Sequence, residues 1–204
     1  MPTSNSIRQR ILDLAVAAID GGGEAAVRVN DLAAEAGVTV PTLYRHFGSR
    51  DGLVEAAQTH RFRTTQFIDS SVLASSLAKC KSQDDLRKAI RKELLTHFDT
   101  DRWELRQVRL NALGAGYARP ELAASLALAQ KQGAMGITEM LLPFQKKGWI
   151  RKDIDLAATV YWFMGQILGR VLIEMGDSPV SQKKWNEVSI EGIMAVIFGD
   201  TPKK

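Results

Sequence analysis

The segment from Gly37 to Phe47, GVTVPTLYRHF, constrains this chain more than any other. Gly37 follows the run Asp31 to Ala36 and can take the left-handed conformation that ends a helix without a Cβ penalty. Two residues on, Thr39 is a good N-cap, and Pro41 falls in the first turn, where a missing N–H costs nothing. Leu43 and Phe47, at i and i+4, give the new helix a core-facing side. Thr42, Tyr44, Arg45 and His46 are left for a partner. The bland alternative is an αα-hairpin whose aromatics only pack, but four such side chains on one short face have little structural purpose. A helix, a tight glycine turn and a second, polar-faced helix make a helix-turn-helix, and the second helix has the size of a major-groove reader.

Helical periodicity runs through most of the remaining chain, and alternating β-branched runs are absent. The spacing of Ile7, Ile11, Leu14, Ala15 and Ala18 predicts a first helix over about 6–20, stopped by Gly21-Gly22-Gly23. Helices are expected over 29–36 and 40–47, and a fourth begins at the cap Ser49 and runs toward Ser70. Residues 79–83 read as a loop, and Asp84 opens a helix carrying Leu86, Ile90, Leu94 and Phe98. Further helices are expected over about 102–113, 120–147, 155–175 and 182–198. The fold class is therefore all-α, with a three-helix head over residues 1–48 and a larger helical body over 49–204.

Composition bears on the partner. Net charge is +4 over 204 residues, yet residues 1–60 hold five arginines against seven acids, so the head is net −2. Nucleic-acid affinity must then come from a few placed cations, not a bulk basic field. A single cysteine, Cys80, excludes a disulfide framework and suits a reducing compartment. No apolar h-region opens the chain, and the uncharged run Leu156 to Gly169 is 14 residues, short of the ~20 that span a membrane. A soluble, cytoplasmic protein without membrane contact is expected. Catalysis is not: the motifs G-x-S-x-G, H-E-x-x-H and G-x-x-x-x-G-K-[ST] are missing, and His46, His60 and His97 are scattered. No cofactor or metal is expected either. Asp99/Asp101 and Asp153/Asp155 read as ordinary helix caps.

The chain resembles the tetracycline-repressor (TetR) family of bacterial transcriptional regulators. The resemblance lies in IRQRILDLAVAAID and VNDLAAEAGVTVPTLYRHFGSRDGLVEA, where Leu32, Ala33, Ala36, Gly37, Val38, Thr42, Leu43, Tyr44, Phe47 and Leu53 fit the family pattern in register. It implies an N-terminal helix-turn-helix, a ligand-binding body, a homodimer, and a palindromic operator released when a small molecule binds. Carried over by position, Arg28, Val29 and Asn30 would face DNA with the third helix. Asn30, Val40, Pro41 and Arg45 would meet base edges, while Thr42, Tyr44 and His46 would hold phosphates beside the cap Thr39. Arg50, at the start of the fourth helix, would add a cation near free backbone N–H groups. In two places the chain departs from the pattern: Arg28 stands where a Ser or Thr cap is frequent, and Val40 is apolar where a polar reader is common.

In the body, the helix over 155–175 is apolar nearly all round and must be covered on more than one side. It is expected to pair with the final helix and their symmetry mates as a four-helix bundle, through Ala158, Trp162, Gly165, Gly169, Leu172, Ile193 and Ile197. An effector pocket is expected among Phe67, Phe98, Trp103, Arg106, Met135, Met140, Tyr161 and Trp162, each of which also reads as plain core. Arg106 and Arg109 could receive an anion, although a solvated helix face explains them better. The rival functions are a constitutive DNA-binding dimer and a helical ligand-binding protein with a vestigial helix-turn-helix.

Overall fold

The computed structural model describes residues 4–65 and 70–199. Every regular element among them is helical. The helices are α1 Ser4–Gly22, α2 Val29–Glu35, α3 Val40–Phe47, α4 Arg50–Thr64, α5 Ser70–Ala78, α6 Gln83–His97, α7 Trp103–Gly116, α8 Pro120–Lys146, α9 Leu156–Gly169, α10 Val171–Glu174 and α11 Gln182–Phe198. Short 3-10 turns occupy Glu24–Ala26 and Thr100–Arg102.

The chain forms two compact units. The first holds residues 1–64 together with 111–129, so it reaches well past a boundary at residue 48. Its core joins the buried stripe of α1 (Ile11, Leu12, Ala15, Ile19) to Leu32, Ala33 and Ala36 of the α2 region, Leu43 and Phe47 of α3, and Leu53, Val54 and Ala57 of α4. The physical reason for the longer unit is Phe62. This ring is wholly buried against Ala112, Leu122, Leu126 and Ala129, so α4 needs the 111–129 segment to cover its far end.

The second unit holds residues 65–110 and 130–204. Its core draws on Leu73 and Leu77 of α5, Leu86, Ile90 and Leu94 of α6, and Ile137, Leu141 and Phe144 of α8. Leu156, Val160, Phe163 and Ile167 of α9 and Ile190, Ile193, Met194 and Ile197 of α11 complete it. α6 starts at the N-cap Ser82, whose Oγ accepts from Asp85 N at 3.1 Å, not at Asp84.

The expected helix over 155–175 is divided into α9 and α10 at Arg170. By length and composition alone, Leu156–Glu174 is the one stretch among the described residues that could cross a membrane. Five of its apolar side chains, Leu156, Val160, Phe163, Met164 and Ile167, are instead buried on one side of α9. Arg170, with no exposed surface, pairs with Glu174. That is the pattern of a core helix with one open face.

Candidate nucleic-acid interface

The turn between α2 and α3 is built as its residues dictate. Gly37 has φ 65°, and Val38 N donates to Ala33 O at 2.9 Å, closing the end of α2. The Arg10 guanidinium donates to Ala36 O and braces the same turn from α1. Thr39 caps α3 by accepting from Thr42 N at 3.4 Å, and the Thr39 and Thr42 hydroxyls lie 3.1 Å apart. Leu43 and Phe47 anchor the inner side of α3, with Arg8 lying 5.0 Å over the Phe47 ring. Behind α3, Ser49 Oγ accepts from Gly52 N at 3.0 Å. A Cβ added at Gly52 would fall 2.1 Å from Phe47 O, so α4 approaches the end of α3 as only glycine allows. Nothing in the sequence pattern alone distinguishes Gly52 from a tolerated helix glycine.

With its inner side buried, α3 presents Pro41, Tyr44 and Arg45 outward, alongside exposed Arg28, Asn30 and Thr39. Val29 and Val40 are half-buried against the head core, while Thr42 and His46 are half-exposed at the flanks. α2 begins at Arg28 without a side-chain cap, so this residue's guanidinium is not used to fix its own helix end.

Arg50 differs from the expectation. Its Nε donates to Val27 O at 3.0 Å and its Nη2 to Glu24 O at 2.6 Å, which clamps the turn leading into α2. A guanidinium committed to two carbonyls is a positioning group for α2 more than a free phosphate ligand. The same turn is held from its side chain. Glu24 Oε1 accepts from Gln58 Nε2 at 2.8 Å, and Oε2 accepts from Arg119 Nη2 at 2.5 Å. Burial pushes the Glu24 carboxyl up, but the hydrogen bonds from Arg119 and Gln58, with the charges of Arg119 and Arg50, outweigh it and hold the carboxyl below its ordinary value. Gln58 Oε1 also accepts from Arg61 Nη1 at 2.7 Å, and Arg61 Nη2 pairs with Asp20 at 2.6 Å. Apart from Gln58 and Arg61, one turn apart on α4, the bonded partners lie far apart in sequence, which is why periodicity gave no sign of the network.

The second unit contains an apolar cavity of about 60 Å³, walled by α5, α6, α8, α9 and α11. None of the expected pocket residues lines it. Phe67 lies outside the described residues. Phe98 is fully buried core, and Met140 packs partly buried on that core. Trp103 and Met135 are substantially exposed, as are Tyr161 and Trp162, since the cavity meets α9 at Leu156, Thr159, Val160 and Phe163 instead. Arg106 and Arg109 are buried, not a solvated face. Arg106 pairs with Glu174 and donates to the carbonyls of His97 and Asp99, and Arg109 Nη2 donates to Gln130 Oε1 at 2.8 Å. With Arg170, which donates to Asn186 Oδ1 at 2.9 Å, they pin the α6–α7 turn and the break after α9.

The expected dimer face is corrected in the same way. Ile193 and Ile197 are core of their own chain, and Gly169 sits against the Trp185 ring. Ala158, Tyr161, Trp162 and Gly165 of α9 are exposed, as are Leu172 of α10 and Val188 of α11, the last 74% exposed. Which side of two all-round apolar helices faces their own core is a property of their packing, not of their spacing.

A buried-core helix-turn-helix with a polar outer face, joined to an all-helical body, is the design of a DNA-binding regulator. Residues 11–57 match the family described as bacterial regulatory proteins, tetR family, so the chain carries that family's N-terminal region and has the fold of its transcriptional regulators. Among solved structures, a protein described as a TetR-family transcriptional regulator from Rhodococcus sp. is 25% identical, with 94% of this chain and 98% of that one covered at TM-score 0.65. Another so described, from Mesorhizobium loti, is 18% identical, covering 96% and 98% at TM-score 0.71. A transcriptional regulator from Saccharomonospora viridis, in complex with choline, is 19% identical, covering 93% and 96% at TM-score 0.64. No curated relative matches the chain in sequence.

Proposed function

We propose that this protein is a homodimeric, cytoplasmic, sequence-specific regulator that represses from a palindromic DNA site and is released by a small molecule. The observation that carries the reading is the outer face of α3 and the start of α2. Asn30, Pro41, Tyr44 and Arg45 are exposed together there while Leu43 and Phe47 hold the helix to its core. Asn30 and Arg45 supply the bidentate pairs that distinguish adenine and guanine, and Pro41 fits a thymine methyl. Tyr44 and the flanking His46 serve phosphates.

The exposed residues Ala158, Tyr161, Trp162, Gly165 and Leu172, with Val188, favour a second copy as their cover. A two-fold dimer would set two α3 helices about 34 Å apart, in successive major grooves. The body cavity and the choline complex of the similar Saccharomonospora viridis regulator favour an effector in the second unit. Such a ligand acts only through its differential affinity for the DNA-bound and DNA-free states. A coupling of about 1–3 kcal/mol lowers operator affinity roughly 5- to 150-fold.

Selection of duplexes from a randomised pool at near-physiological salt tests the reading, with Tyr44→Ala as control. An enriched inverted repeat that the variant fails to select is expected. No enrichment by folded wild-type protein refutes it.

A further inference from the structure

The body cavity is defined as much by what its wall withholds as by its size. Twelve residues line it, and none presents polar surface to the space. Ten are buried aliphatic or aromatic side chains, among them Ile90, Ile137, Val160, Phe163 and Ile193. The other two, Glu93 on α6 and Thr159 on α9, are half-buried and turn their polar ends elsewhere. Glu93 Oε1 lies 3.2 Å from His97 Nε2, and the Thr159 hydroxyl donates to Asp155 O at 2.8 Å, so each gives the wall only carbon. A space of this kind offers water no hydrogen-bond partner and stays dry. Since Glu93 and Thr159 alone in the wall are not buried, they mark the side nearest solvent.

We propose that this cavity seats the hydrocarbon end of an effector, a terminal alkyl group of roughly two to three carbons that carries no heteroatom. The inference rests on the effector reading above and deepens it by naming the ligand class. Wall chemistry decides that class. An ion of either sign would shed its water there and meet neither counter-charge nor hydrogen-bond partner. A neutral hydroxyl or amide would leave its hydrogen bonds unmade, which weakens binding about 5- to 150-fold. An alkyl group has no hydrogen bonds to lose, and it gains dispersion contacts with the surrounding Leu, Ile, Val and Phe side chains. Size sets the length of the group. A cavity of about 150 Å³ holds benzene, so about 60 Å³ takes roughly two to three carbons. A fragment so small binds in the millimolar range at best, so the cavity reads an end group and not a whole molecule.

The test uses the full chain with propane as the probe, and ethanol and ethylammonium as its neutral and cationic isosteres. Methyl chemical shifts are followed against propane pressure and against the concentration of the other two. The expected result is a saturable response to propane centred on Ile90, Val160 and Ile193, at least fivefold weaker binding of ethanol, and none of ethylammonium. Two conservative variants report on the fit. Ile193→Val enlarges the space by one methylene and should move the preference from propane toward butane. Val160→Ile fills it by one methylene and should weaken propane binding. Equal binding of ethanol, saturable binding of ethylammonium at these methyls, shifts centred elsewhere, no saturable response to propane, or an unmoved size preference in both variants would each overturn the proposal. Should ethanol bind the cavity as well as propane and release DNA, the effector reading survives and the hydrocarbon class falls. Should propane bind selectively and leave operator affinity unchanged at saturation, the class stands and the effector reading falls.

Discussion

Arg50 allows a decisive test, because a DNA ligand and a structural clamp fail differently. Arg50→Ala removes two charge-assisted hydrogen bonds, to Val27 O and Glu24 O, and leaves the Val27 carbonyl without that donor. Bonds to charged groups contribute about 1.5–3 kcal/mol each when dry. The Arg50 side chain is 40% exposed, and water replaces part of what is lost, so about 2 kcal/mol in total is reasonable. For a chain of this length that corresponds to a fall in melting temperature of about 4–8 °C. Operator affinity should drop as well, since α2 loses its fixed entry. The salt dependence of binding should not change, because its slope counts neutralised phosphates at about 0.9 per contact. Thermal melting and binding across a salt series read the two quantities separately. An unchanged melting temperature with a slope reduced by about 0.9 would refute the clamp and restore Arg50 as a phosphate ligand.

Gly52→Ala drives a Cβ to 2.1 Å from the Phe47 carbonyl oxygen, which backbone cannot easily yield, and should cost at least about 2 kcal/mol with loss of DNA binding, read by denaturant melts. Glu24 is held below its ordinary value when folded, so its contribution is present above the unfolded value and disappears as pH falls through the folded one. The difference in melting temperature between wild type and Glu24→Gln should therefore be widest near neutrality and close below about pH 4; a constant difference would remove Glu24's charge from the account. Val188→Glu places a charge on the exposed apolar surface and should yield monomers in light scattering while leaving the far-UV spectrum intact.

Local signals were legible where one residue type has one physical use. Gly37, Thr39 and Pro41 set the start of α3, and Val40–Phe47 coincides with the expected helix. α11 likewise spans the expected Gln182–Phe198, starting from the cap Ser181. Long-range roles were not legible. Arg50 beside a helix start reads as a phosphate ligand until its carbonyl partners, 23 and 26 positions away, are known. Arg106 and Arg109 looked like a wet face because their acceptors, Glu174 and Gln130, lie on other helices. The cavity escaped for a related reason: Tyr161 and Trp162 carry the conspicuous chemistry of α9, but Thr159, Val160 and Phe163 line the space.

Phe62 ties the reading head to chain made much later. During synthesis α1 to α4 emerge first, yet Leu122, Leu126 and Ala129, which close over Phe62, follow only after some sixty further residues. At 5–20 residues per second that interval is on the order of 3 to 12 s. Through it the nascent helix-turn-helix carries an uncovered aromatic and lacks the Arg119 partner of Glu24. A chain cut short before residue 129 would for the same reason leave the first unit incomplete, so the helix-turn-helix gains its full support only once that residue has been made.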